Sequence, residues 1–249
     1  MAGNVVGLLL PDVCGGCGGE LASEGGLCDA CSRDLMTLVG VHYCPRCGTT
    51  IGPNIPIRSE GCNACPVPMP RYDAVIRLGP YADPLRAVIL AAKFRRQEAM
   101  VRRLGYMLSL ALAARLGDAP DYDLAMPVPM HWRRRLARGC NLSAALARAI
   151  GRELDVPVGD ELVRIRHTPQ QAHLPRTARL QNIRGAFVVQ RPAVLARAHV
   201  VLVDDVTTTG ATANEAARAL LDAGASRVTL AVVCKSEPAR AYSAALSPS

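Results

Sequence analysis

Acidic and hydroxyl residues follow an apolar segment near the end of the chain, an order that suits phosphate and sugar binding. Backbone N–H groups at the start of a helix bind phosphate together with threonine hydroxyls, and carboxylates at the end of a strand accept hydrogen bonds from sugar hydroxyls. A plain helix cap needs only one such side chain, whereas six of the nine residues after the apolar segment His199–Val203 are Asp or Thr. The pattern therefore predicts a strand, an anion-binding loop and a helix. The predicted binding residues are Asp204, Asp205, Val206, Thr207, Thr208, Thr209, Gly210, Ala211 and Thr212.

Eight of the ten cysteines lie in the first 65 residues as four CxxC pairs. They are Cys14, Cys17, Cys28, Cys31, Cys44, Cys47, Cys62 and Cys65. Two residues between cysteines allow both sulfurs to reach one ion at about 2.3 Å, and Gly18 and Gly48 supply turn residues that tolerate a positive φ. Four pairs predict two closed, structural zinc sites of four cysteines each. Pairing of neighbouring CxxC motifs would give two consecutive ribbons, and a cross-brace is the alternative.

Net charge differs sharply between the two parts of the chain. Residues 1–70 have a net charge of −3 and residues 71–249 have +11, which together give the total of +8. Seven arginines and no acidic residue lie between Leu162 and Val203. A positive field attracts the phosphates of nucleic acids and of small substrates alike, and a solvated arginine-rich surface is the alternative. Aromatic residues form only 4% of the chain, which disfavours base stacking on single-stranded nucleic acid.

The sequence pattern changes near residue 70. Before it the chain is rich in Gly, Pro and Cys with almost no helical periodicity, and after it apolar strands alternate with helical segments. The predicted strands are Val75–Leu78, Leu124–Val128, Leu162–Ile165, Phe187–Val189, His199–Val203 and Val228–Cys234. Helices are predicted after Pro84 and over about 97–116, 141–154 and 213–223. This alternation predicts an α/β fold with a parallel sheet flanked by helices.

Three regions follow from this change of pattern: 1–70, a double zinc-ribbon module; 71–238, the α/β domain; and 239–249, a frayed tail. The longest apolar stretch, Leu104–Leu116, is too short and too interrupted to span a bilayer. The apolar run Val5–Leu10 is too short for a signal peptide. We therefore expect a cytoplasmic protein without a membrane span.

Four segments of the chain together resemble one protein family. The segment 201–212 is similar to the signature for 5-phosphoribosyl-1-pyrophosphate (PRPP) in type I phosphoribosyltransferases. Pro127-Val-Pro129 with the later Arg138-Gly-Cys-Asn141, Thr168-Pro-Gln-Gln171 and the cysteine-rich start of the chain resemble the ComF family of competence-associated proteins. The resemblance covers most of the chain, from Cys14 to Lys235. It implies a type I phosphoribosyltransferase-like domain at 71–238.

The resemblance implies a role for each part of this site. Asp204 and Asp205 would hold the ribose hydroxyls, and Thr207–Thr212 would bind the 5′-phosphate. Mg²⁺ would bridge the pyrophosphate and ribose oxygens of PRPP. The residues expected to contact pyrophosphate are Pro127, Val128, Pro129, Arg133, Arg135 and Arg138, and those expected on a mobile lid are Thr168, Gln171 and Arg179. Lys93 is expected either to face the pocket or to lie at a solvated helix end.

Three functions remain open at this point, and no catalytic residue is assigned. The first is a PRPP-dependent transferase for an unidentified nitrogenous acceptor. The second is a non-catalytic component that handles single-stranded DNA through its basic 71–249 body. The third is a scaffold whose zinc ribbons recruit competence or DNA-processing proteins. The intact phosphate loop argues against the scaffold. The sequence therefore predicts PRPP binding, and the resemblance alone implies a link to DNA uptake.

Overall fold

A four-stranded parallel sheet forms the centre of the computed structural model, which describes residues 13–21, 26–52, 61–94, 98–116, 122–130, 141–166 and 183–237. Its strands lie in the order β1 (Ala74–Pro80), β6 (Arg227–Lys235), β5 (His199–Thr207) and β2 (Leu124–Pro127), all parallel. Two short antiparallel strands, β3 (Leu162–Arg164) and β4 (Phe187–Val189), pair separately. The parallel sheet that the sequence predicts is thus confirmed.

Helices cover both faces of the sheet, which explains why its strands are apolar on both sides. The helices are α1 (Asp29–Leu38), α2 (Leu85–Phe94), α3 (Glu98–Leu116), α4 (Leu142–Glu153) and α5 (Ala211–Asp222). A short 3₁₀ helix, Pro192–Leu195, precedes β5.

Alternate residues of β5 point into two separate apolar layers. Val201 and Val203 pack with α1 to α4 on one face, whereas Val200 and Leu202 pack with α5 and the β3–β4 pair on the other. The two layers hold β5 between them, so the residues at its carboxyl end are fixed relative to the helices on both sides.

The first 70 residues differ from the sequence-based expectation in one respect. They contain a helix, α1, although the absence of helical periodicity predicted none. Cys31, Leu35 and Leu38 are buried and spaced by four and three residues, so one face of α1 is apolar. This face packs into the same layer as Leu85 and Leu104 of the following domain. The first ribbon is therefore in direct contact with the α/β core.

The other predicted elements agree with the structure apart from their ends. Strand β5 continues four residues beyond Val203, through both aspartates, because it pairs with β6 as far as Thr207. Helix α5 begins at Ala211, two residues before the predicted start, and Pro84 immediately precedes α2. Within the described ranges, none of the helices combines the length and the hydropathy needed to cross a bilayer.

Candidate functional site at the carboxyl edge of the sheet

The loop between β5 and α5 is shaped by a glycine that no other residue could replace without strain. Gly210 has a φ of 75° and immediately precedes α5. A Cβ at this position would lie 2.7 Å from Tyr72 Oη, so both the backbone conformation and the neighbouring phenol require glycine. Tyr72 is buried, and burial raises its pKa.

The start of α5 presents backbone donors suited to an anion. The Thr212 and Ala213 N–H groups have no hydrogen-bond partner among the described residues, as expected in the first turn of a helix. Thr209 Oγ1 accepts from the Ala211 N–H at 3.3 Å, and the Asn214 N–H donates to Gly210 O at 2.7 Å. These contacts hold the loop closed against the helix, whose dipole is positive at this end.

Asp204 is half-buried, and one of its carboxylate oxygens accepts two hydrogen bonds. Its Oδ1 accepts from Ser143 Oγ at 2.9 Å and from the Asp205 N–H at 2.9 Å. Burial, followed by the charge of Asp205, raises the pKa of Asp204 to about 7, although the two hydrogen bonds oppose the shift. Asp204 therefore changes its charge near neutral pH. Ser143, at the start of α4, was not among the residues predicted from the sequence.

Asp205 forms an ion pair with a lysine from a distant part of the chain. Its Oδ2 lies 2.9 Å from Lys93 Nζ, and the two side chains are only 16% and 19% exposed. Of the two alternatives for Lys93, the structure supports the one in which it faces the site. Lys93 is the penultimate residue of α2, which packs on the layer beside β5.

The proline-flanked loop after β2 lies beside the two aspartates. Pro127 pairs with Val203, and the Val128 N–H donates to Val203 O at 2.8 Å. Pro127 and Val128 are therefore beside Val203, the residue that precedes Asp204, and Pro129 follows them in sequence. The other predicted residues of the pyrophosphate loop and lid fall outside the described ranges: Arg133, Arg135, Arg138, Thr168, Gln171 and Arg179.

A cavity of about 340 Å³ opens between the loop after β5 and the second ribbon. Thr208 and Thr209 form one side, and the other sides are formed by Cys47, Thr49, Ala64, Pro66, Tyr72, Lys235, Ser236 and Glu237. Lys235 and Tyr72 were missed by the sequence analysis. A signal for Lys235 exists, because it ends the strand beside β5 and the carboxyl ends of parallel strands meet at one edge.

The eight cysteines form two groups of four, each made of neighbouring CxxC pairs. One group contains Cys14, Cys17, Cys28 and Cys31, and the other contains Cys44, Cys47, Cys62 and Cys65; all sulfurs within a group lie within 4.8 Å of one another. Of the two pairings that the sequence left open, the structure has the consecutive ribbons and not the cross-brace.

The spacing of the sulfurs fits zinc. A tetrahedron with bonds of about 2.3 Å has edges of about 3.8 Å, and Cys17–Cys28, Cys44–Cys65 and Cys47–Cys62 have Sγ–Sγ distances of 3.9, 3.7 and 3.8 Å. Four thiolate donors leave no open position, so these are structural zinc sites. Burial opposes ionisation of Cys14, but backbone N–H donors, including those of Cys28 and Gly16, outweigh it and lower its pKa to about 6.

Two family descriptions match this chain. A double zinc ribbon domain matches residues 5–66, and a phosphoribosyl transferase domain matches residues 138–244.

Curated relatives match over nearly their whole length. "DNA utilization protein YhgH" of Salmonella typhi is 31% identical, with 92% of this chain and 99% of the relative covered. "Competence protein F" of Haemophilus influenzae is 32% identical, with 85% and 92% covered. Among solved structures, glutamine phosphoribosylpyrophosphate amidotransferase from B. subtilis is 21% identical over 55% of this chain and 26% of its own, with a TM-score of 0.37.

Proposed function

Because this chain belongs to the ComF family, in which a double zinc ribbon precedes a phosphoribosyltransferase domain, we propose that it binds PRPP with Mg²⁺ at the carboxyl edge of its sheet. The observation that carries the proposal is the loop 204–212, where two carboxylates and a helix start with unpaired N–H groups adjoin one another. A ribose 5-phosphate needs carboxylates for its hydroxyls and N–H donors for its phosphate, separated by no more than the length of the sugar.

Each group of the loop has a defined task in this proposal. Asp204 and Asp205 accept hydrogen bonds from the ribose 2′- and 3′-hydroxyls, and the turn Thr207–Thr212 binds the 5′-phosphate through its N–H and hydroxyl groups. Lys93 balances the charge of Asp205 and places a cation beside the ribose. Ser143 orients Asp204 through its 2.9 Å hydrogen bond.

The pyrophosphate belongs at the loop after β2 in this proposal. Pro127 pairs with Val203 and Val128 donates to Val203 O, so this loop begins beside the residue that precedes Asp204. Arg133, Arg135 and Arg138 follow in sequence and would supply the positive charge. Thr168, Gln171 and Arg179 would form the lid that excludes water. Bound Mg²⁺ would neutralise the pyrophosphate and bind ribose oxygens.

The reaction that this site supports is transfer of the phosphoribosyl group to a nitrogenous acceptor. Displacement at the anomeric carbon develops positive charge on the sugar, so the protein must hold the leaving pyrophosphate and exclude water more than supply a strong base.

Titration calorimetry tests the proposal directly. PRPP with Mg²⁺ should bind the full chain with one site, and ribose 5-phosphate should bind more weakly because it lacks the pyrophosphate. A screen for pyrophosphate release with bases and amines then separates a transferase from a binding protein. Absence of PRPP binding at millimolar concentration would refute the proposal.

DNA handling in the cytoplasm is the second candidate function. It is favoured by the net charge of +11 on residues 71–249 and by the names of the relatives, a competence protein and a DNA utilization protein. We propose that single-stranded DNA binds this basic body electrostatically and that competence or DNA-processing proteins are the partners. The affinity of the full chain for an oligonucleotide should then fall steeply with salt, and salt-independent binding would contradict an electrostatic mode.

A further inference from the structure

The second zinc ribbon lies directly against the residues that support the phosphate loop. Lys235 is the last residue of β6 and pairs with Thr207, the last residue of β5. The Ser236 N–H donates to Thr207 O at 2.8 Å, which keeps the two strand ends together. Gly48, which follows Cys47, lies beside this pair, since a Cβ added there would be in van der Waals contact with Lys235 Cδ at 3.5 Å.

The Lys235 ammonium group connects the zinc knuckle to the loop. Its Nζ donates to Cys47 O at 2.9 Å on one side and to Thr208 O at 3.3 Å on the other. Thr208 O belongs to the same planar peptide group as the Thr209 N–H. By holding this carbonyl towards the ribbon, Lys235 directs the Thr209 N–H away from the ribbon and fixes one donor of the phosphate cradle.

The second ribbon is also anchored firmly enough to serve as a fixed point. Glu237 accepts from the Thr50 N–H and from Arg77, each at 2.9 Å, and Arg77 donates to Thr50 Oγ1 at 2.6 Å. The Arg77 and Glu237 side chains are only 0% and 2% exposed. A buried, hydrogen-bonded charge pair of this kind resists displacement, because separating the charges would leave one of them unpaired away from water.

The first ribbon makes a different set of contacts. The Gly40 N–H donates to Leu78 O at 3.2 Å, Arg103 donates to Ser32 at 3.3 Å, and α1 packs on α2 and α3. These hydrogen bonds join the first ribbon to β1 and α3, whereas Cys47 of the second ribbon shares the Lys235 ammonium group with Thr208. The two zinc sites therefore stand in different relations to the candidate site.

We propose that Lys235 is a positioning residue that couples the second zinc ribbon to the phosphate loop, so that zinc in the second ribbon, and not in the first, sets the affinity for PRPP. The inference rests on the proposed function and adds a dependence of the ligand site on one particular metal site. Lys235 acts through the Thr208–Thr209 peptide group.

Two variants of Lys235 test the tether. Lys235→Met keeps the aliphatic stem that packs on Gly48 but removes every donor, whereas Lys235→Arg keeps donors in reach of both carbonyls. We expect Lys235→Met to bind PRPP roughly tenfold more weakly with both zinc ions retained, and Lys235→Arg to recover part of that loss. Faster hydrogen exchange at residues 207–213 in Lys235→Met should accompany the weaker binding.

Variants of one cysteine in each ribbon test the metal dependence. Cys62→Ser in the second ribbon and Cys17→Ser in the first should each lose one zinc ion per chain. We expect Cys62→Ser to bind PRPP at least tenfold more weakly and to show faster hydrogen exchange at residues 207–213. Cys17→Ser should match the wild type in PRPP affinity and in the exchange of these residues. Equal effects of the two variants, or no effect of Lys235→Met on loop exchange, would overturn the inference.

The exchange measurement separates this inference from the proposed function. If the wild-type chain failed to bind PRPP, the proposed function would fail, but the response of the loop to Lys235→Met and Cys62→Ser would still decide whether the tether exists. If the wild type binds PRPP and the variants bind equally well, only the coupling is wrong.

Discussion

Replacing both loop aspartates by asparagine is the sharpest test of how the candidate site binds a ribose. In Asp204→Asn/Asp205→Asn the two carboxylates become neutral amides of nearly the same shape. A hydrogen bond to a charged group contributes about 1.5–3 kcal/mol, and each 1.4 kcal/mol is a factor of about ten in affinity. PRPP affinity should therefore fall by roughly tenfold to a hundredfold per residue.

The structure predicts that the two single substitutions differ and that the difference depends on pH. Burial raises the pKa of Asp204 to about 7, so at pH 6 most of its population is already neutral and Asp204→Asn should have little effect. At pH 8 Asp204 is ionised, and the same substitution should approach its full effect. Asp205 is paired with Lys93, and Asp205→Asn should weaken PRPP binding at both pH values.

The assay is titration calorimetry with PRPP and Mg²⁺ at pH 6 and pH 8, with thermal unfolding of each variant as the control. The fold should survive, because asparagine Oδ1 at position 204 can still accept from Ser143 and both residues lie at the end of the strand. Unchanged PRPP binding in the double variant would refute the assignment of the site. Unfolding of the double variant would instead show that the aspartates hold the loop together.

Three further predictions concern the metal, the pH dependence of stability and the packing of the first ribbon. Elemental analysis of purified protein should find about two zinc ions per chain, and one zinc or an iron–sulfur absorption band would contradict the two Cys₄ sites. Because the pKa of Asp204 is raised in the folded state, its contribution to the free energy of unfolding is present below pH ~4 and is lost as the pH rises through about 7. The free energy of unfolding, measured by chemical denaturation, should therefore fall less between pH 5 and pH 8 in Asp204→Asn than in the wild type. An equal fall in both proteins would contradict the raised pKa. Leu35→Ala should lower the free energy of unfolding of the whole chain by about 2–5 kcal/mol, because Leu35 is fully buried in the layer shared with α2 and α3; a loss confined to residues 1–70, measured by limited proteolysis, would show that the first ribbon folds separately.

The strand, loop and helix around residues 204–212 could be predicted from the sequence because their parts are adjacent in the chain. The apolar strand, the aspartates, the threonines and Gly210 all lie between residues 199 and 212, so local patterns suffice. The zinc ligands could be predicted for the same reason. Their pairing could not, because four similar CxxC motifs in series permit both a consecutive and a cross-braced arrangement.

The other residues of the site come from distant parts of the chain. Lys93 and Ser143 reach the aspartates from helices more than 60 residues away, and Tyr72 approaches Gly210 across 138 positions. Such contacts depend on how α2, α4 and the second ribbon pack on the sheet, and no local pattern encodes that packing. The helix α1 was missed for another reason, since its apolar spacing is present but one of its three buried residues is a zinc-binding cysteine.

Hydrogen exchange of the full chain with and without PRPP and Mg²⁺ tests most directly whether the carboxyl edge of the sheet is the ligand site. We expect slower exchange in residues 204–213, where the Thr212 and Ala213 N–H groups would gain a phosphate partner, and little change in α1, which packs in the apolar layer with Leu85 and Leu104. Unchanged exchange in residues 204–213, with protection elsewhere or nowhere, would contradict PRPP binding at this loop.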